Sequence, residues 1–143
     1  AGGARASPSQ ARRIVHHEVS SLLLRRYWSL FPRTKWLACN PSGFSYANDT
    51  LSFVEQRPHM SAFAQADLES GFVRTYGRAT LENDLNTYAE FLLSGDPRLW
   101  ASRSMFPRVR CKLEIVIQFY QAISDSWTEE YFRRLVKPDY AAP

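Results

Sequence analysis

The chain has 143 residues and a mass of 16.5 kDa, the length of one ordinary domain. It is 45% hydrophobic and 14% aromatic, which excludes a wholly disordered chain, and its 6 Gly, 8 Pro and 2 Cys exclude collagen-like, low-complexity and disulfide-scaffold classes. The net charge of +4 is unevenly placed: residues 1–36 carry seven basic and one acidic residue, a net of +6, leaving −2 for residues 37–143.

Taken in chain order, residues 1–13 read as a flexible basic N-terminus. They hold Ala, Gly, Ser and Arg, and no acid precedes Glu18. That composition is that of the end of an organellar transit peptide, or of the stretch just after its cleavage site. Ser7 is placed to cap a helix with Pro8 at its first position. From Ile14 to Phe31 the apolar residues Val15, Val19, Leu22, Leu23, Tyr27 and Leu30 recur at helical spacing, which predicts one buried face. Pro32 ends that helix. Residues 32–58, rich in turn signals, predict a long loop whose Trp36, Leu37, Phe44, Tyr46, Leu51 and Phe53 need a partner for burial.

A weaker helix is predicted over Met60–Tyr76 and a clearer one over Thr80–Ser94, stopped at Gly95. Asp96-Pro97 starts a short helix. Pro107 starts another, with Val109, Leu113, Val116, Ile117, Tyr120 and Ile123 on one side, a helix being preferred to the strand that the β-branched Ile115-Val116-Ile117 also allows. Ser126-Trp127-Thr128-Glu129 reads as a capping box for a last helix closed by Pro138. The expected fold is an all-α bundle of about five helices: one domain over residues 14–138, a loop extension at 32–58 and a tail at 139–143.

No apolar run reaches the roughly 20 residues a membrane helix needs. Cys39 and Cys111, 72 positions apart and outside any CxxC pattern, read as two free buried thiols in a reducing compartment, with a disulfide as the alternative. His16-His17-Glu18 does not make a metal site, because neighbouring helical side chains point about 100° apart. The acid pairs Glu82/Asp84 and Glu129/Glu130 read as solvated helix surface. No nucleotide, hydrolase or metalloprotease motif occurs, so the expectation is a protein that is not an enzyme and has no catalytic residue and no metal.

The basic residues carry more information. Arg12, Arg13, Arg25, Arg26, Arg33 and Lys35 lie on or just after the first helix, followed by Tyr27, Trp28, Phe31 and Trp36. Such a strip suits an anionic partner, whether an acidic protein helix, lipid headgroups or RNA phosphate. Arg103, Arg108, Arg110 and Lys112 form a second basic cluster.

The stretch Leu23-Leu24-Arg25-Arg26-Tyr27-Trp28-Ser29-Leu30-Phe31-Pro32 resembles the LYR-motif mitochondrial proteins, and looks most like the members that are accessory subunits of respiratory complex I. The motif-like positions are Leu23, Leu24, Arg25, Tyr27, Trp28 and Phe31, with Leu24 standing where the family has Tyr. Glu90-Phe91, Asp96-Pro97-Arg98 and Lys112-Leu113-Glu114 are similar in type and order to that family's later helices. The resemblance implies a docked mitochondrial acyl carrier protein, whose acyl-phosphopantetheine would enter the bundle while Arg25, Arg26 and Lys35 meet its acidic helix. The expected function is thus a non-catalytic accessory subunit of a mitochondrial inner-membrane complex, on the matrix side. A peripheral subunit of ATP synthase and a mitochondrial ribosomal or RNA-associated protein are the alternatives.

Overall fold

The computed structural model describes residues 7–56 and 61–136. Among these residues it is all-α, with eight helices: α1 Pro8–Arg26, α2 Arg33–Ala38, α3 Thr50–Gln56, α4 Gln65–Glu69, α5 Leu81–Leu93, α6 Pro97–Met105, α7 Pro107–Ile123 and α8 Glu129–Arg134. Two short 3₁₀ turns lie at Trp28–Leu30 and Thr75–Arg78, and one isolated bridge joins Ala62 to Arg74.

Local chemistry sets most of the helix ends. The Ser7 side chain accepts from the Gln10 N–H while the Gln10 side chain accepts from the Ser7 N–H, so α1 begins at Pro8 and residues 8–13 are helical rather than flexible. Thr80 and Asp96 cap α5 and α6 by one side-chain bond each, accepting from the Asn83 and Arg98 N–H groups. Gly95 ends α5 with φ of 70°, and a Cβ there would lie 1.9 Å from the Leu135 carbonyl oxygen. Only glycine meets both the left-handed backbone and that close approach of the chain after α8. The last helix is capped by Thr128, not Ser126, because the Thr128 hydroxyl accepts from the Tyr131 N–H. His59, Pro138 and the tail from 139 onward lie outside the described residues.

The expected loop and the weaker helix after it are both corrected. The loop 32–58 contains α2 and α3, and its aromatics are placed within the domain: Trp36 and Phe53 are buried and Tyr46 is half-buried. Met60 lies outside the described residues, and over 61–76 the expected helix is reduced to α4, because Gly71 takes φ of 86° and sends the chain back alongside Ala62. Its bare α-carbon also packs against Arg108 of α7, where a Cβ would lie 2.8 Å from that of Arg108.

The core sits between α5 and α7. Leu85, Tyr88 and Leu92 of α5 meet Leu113, Val116 and Tyr120 of α7, with Trp36, Leu99 and Phe132 closing the ends. Every residue from Asn83 to Leu92 is buried, since α1 and the second 3₁₀ turn cover the side of α5 that α7 does not.

One buried ion pair crosses this core. Lys112 Nζ lies 2.7 Å from Asp84 Oδ2, and both side chains are fully buried. Tyr46 donates its O–H to the same oxygen at 2.6 Å, and Trp36 donates its N–H to the Tyr46 hydroxyl at 3.0 Å. The ammonium also sits 3.7 Å from the centre of the Phe72 ring. Burial pushes Asp84 up and Lys112 down, and their mutual attraction opposes both shifts. Asp84 is therefore not solvated surface, and Lys112 does not belong to a surface basic cluster.

Cys39 and Cys111 are joined in a disulfide with Cα atoms 5.8 Å apart, which corrects the expectation of two free thiols. The spacing alone could not show this, because the contact is made by α2 folding onto α7.

Candidate functional site

The first helix packs with the opposite face to the one its hydrophobic pattern predicts. Its buried residues are Ser20, Ser21 and Leu24. Val15 is 58% exposed, Val19 42% and Leu22 64%. With about 100° per residue, these three lie on the side of α1 opposite Leu24. Only Leu23 and Tyr27, at the edge of the expected face, are half-buried against the core.

A polar column on α5 explains the inversion. His17 Nδ1 lies 2.6 Å from Glu90 Oε1, Asn86 donates to Ser21 Oγ at 2.7 Å, and Arg25 donates to Glu82 Oε1 at 3.0 Å. The α1 numbers rise by four as the α5 numbers fall by four, so the antiparallel helices meet through three rungs of a ladder. Arg74 donates to the second oxygen of Glu90 at 2.9 Å. A Val15–Val19–Leu22 face turned onto α5 would strip Glu90 and Asn86 of these partners, and a buried polar group without a partner costs more than an exposed valine. The outermost rung contributes little, since Arg25 is 71% exposed.

The basic residues named from the sequence do not form one strip. Arg12 and Arg26 are exposed on the outer face of α1, with the Arg26 guanidinium 5.6 Å from the Tyr27 ring centre. Arg13 is turned inward, over the ring of Phe91 at 5.7 Å. Arg25 faces Glu82. Arg33 and Lys35 are exposed on α2, where Lys35 shares with Arg110 and Cys111 a groove of about 490 Å³ beside the disulfide. Arg108 and Arg110 are exposed, and Arg103 pairs with Glu114 and Glu129.

The motif-like residues also divide. Leu24 and Phe31 belong to the core, and Leu23 and Tyr27 are half-buried against it. Trp28 is 47% exposed and, with Leu24, Arg25, Leu81 and Glu82, lines a groove of about 590 Å³ at the end of α1. Between α1 and α5 lies the polar ladder. The other acid pair is engaged as well, Glu129 with Arg133 and Glu130 with Arg134. Among the described residues, no cluster of three or more His, Cys, Asp or Glu could hold a metal ion, and no helix is long and apolar enough to cross a membrane.

His16 flanks the outer face. Burial, and then the nearby Arg12 charge, hold its pKa below the ordinary 6.5. The folded protein thus binds this proton more weakly than the unfolded chain does, so the His16 contribution lowers stability as pH falls below 6.5. His16→Gln is expected to lose less stability on acidification than the parent chain. Urea midpoints measured on either side of pH 6.5 check this, and equal losses in the two proteins would refute it.

No protein-family model, no curated protein and no solved structure matches the chain.

Proposed function

We propose that this chain is a non-catalytic subunit that attaches to a larger assembly through the outer face of α1. The observation that carries the reading is the inversion of that helix: its polar side is used internally and its apolar residues are presented outward. Exposed single apolar residues are ordinary, but Val15, Val19 and Leu22 follow one another along about two turns of one helix face, which is a mark of a contact surface. The unequal charge distribution supports an anionic partner over a generally basic nucleic-acid binder, because the net +6 belongs to residues 1–36 alone.

An inner-membrane respiratory or ATP synthase assembly is the setting that the import-like N-terminus and the LYR-like stretch favour. The Cys39–Cys111 cross-link favours the oxidising side of such a membrane over the matrix side, where thiols are kept reduced. The polar ladder favours a protein surface over an inserted acyl chain as what α1 contributes.

Val19→Asp tests the reading. The residue is on the outer face, so the substitution is expected to leave the thermal midpoint nearly unchanged while moving the protein from the high-mass fraction to the monomer fraction on a native gel of its source cells. A variant that stays in the high-mass fraction would refute the docking function of α1.

A further inference from the structure

The outer face of α1 is narrow and regular. Arg12, Val15, Val19, Leu22 and Arg26 follow one another at steps of 3, 4, 3 and 4. That is the 3.5-residue repeat of a coiled-coil seam rather than the wide apolar face of a helix lying in a lipid surface. On a helical projection Glu18 interrupts the apolar surface on one side, between the stripe and Ile14. The seam runs for about 21 Å, three apolar residues with an arginine at each end. Among the described residues no element covers it: Val15, Val19 and Leu22 are all exposed.

Resting on the reading of α1 as the docking element, we infer that its occupant is a single acidic amphipathic helix of another protein. That helix lays apolar residues against Val15, Val19 and Leu22 and sets a carboxylate opposite each of Arg12 and Arg26. The end charges decide between occupants. A second copy paired in parallel would set Arg12 on Arg12 and Arg26 on Arg26, and paired antiparallel would set Arg12 on Arg26. Both arrangements place like charges across the seam, which opposes self-pairing. An anionic membrane would satisfy the arginines, but the seam is one residue wide and Glu18 borders it.

The test uses the full chain and two synthetic three-heptad helices. Both carry Leu at the positions facing the apolar residues, and they carry either Glu or Lys at the two positions facing Arg12 and Arg26. The Glu peptide is expected to bind, more weakly as salt rises, and the Lys peptide to bind about tenfold less tightly. The double variant Arg12→Glu/Arg26→Glu is expected to reverse that preference, and both positions are exposed, so the fold is kept. Vesicles of equal parts phosphatidylcholine and phosphatidylglycerol, and sedimentation of the chain alone, supply the competing occupants. Vesicle binding or self-association without peptide binding would overturn the inference, as would a peptide preference that the double variant fails to reverse. Release of Val19→Asp from its native assembly together with failure of the Glu peptide would leave the docking reading standing and remove only the acidic helix. Retention of Val19→Asp in that assembly would remove the docking reading itself.

Discussion

Lys112→Met is expected to destabilise the fold by about 3–5 kcal/mol, measured as the loss in urea unfolding free energy. Methionine nearly matches the volume of lysine, so a packing defect is not the main source. The loss comes from Asp84, which would keep a fully buried carboxylate with only the Tyr46 hydroxyl to replace the ammonium at 2.7 Å. Protonation is the escape open to it, and burial already pushes Asp84 in that direction. The deficit of Lys112→Met should accordingly shrink as pH is lowered, relative to the parent chain. Asp84→Leu combined with Lys112→Met is expected to recover most of the stability, since the desolvation cost of both charges disappears together. A residual loss of about 1 kcal/mol is expected because Tyr46 then lacks its acceptor. A single variant as stable as the parent would show that the pair contributes no compensation inside the core.

Breaking the disulfide is the second large effect. Cys39 and Cys111 close a loop of 72 residues, half the chain. In the chain-entropy description, removing that restraint from the unfolded state costs about 4 kcal/mol. Cys39→Ser/Cys111→Ser is expected to lower the unfolding free energy by that order. The parent protein under reductant is expected to approach the same value. Cys39 is buried, so its serine replacement adds a smaller polar penalty that reduction does not. Agreement between parent and variant under oxidising conditions would show that the cross-link contributes nothing to stability.

The two effects meet in one region. Lys112 and Cys111 are neighbours on α7, and Trp36 and Cys39 belong to the short segment that α7 holds. The segment after α1, which reads as an outward extension, is bound inward by a covalent bond, an indole and the Tyr46 hydroxyl.

The sequence by itself determined the all-α class and several of the helix boundaries. Caps act within four residues, so Ser7, Thr80, Asp96 and the stop at Gly95 were legible without any tertiary contact. The 3.6-residue repeat likewise identified α1, α5 and α7 as helices. It could not say which face of α1 turns inward. Periodicity reports that a helix is two-sided, but burial is decided by what the neighbouring element offers, and the Glu82, Asn86 and Glu90 column of α5 selects His17, Ser21 and Arg25. The same holds for the acids and cations of the middle of the chain. Asp84 beside Glu82 looks like solvated surface until α7 brings Lys112 against it, 28 residues away. Only the tertiary structure could make that pair, close the bond across 72 residues, and turn the apolar stripe of α1 outward, because each depends on contacts between elements that no local pattern encodes.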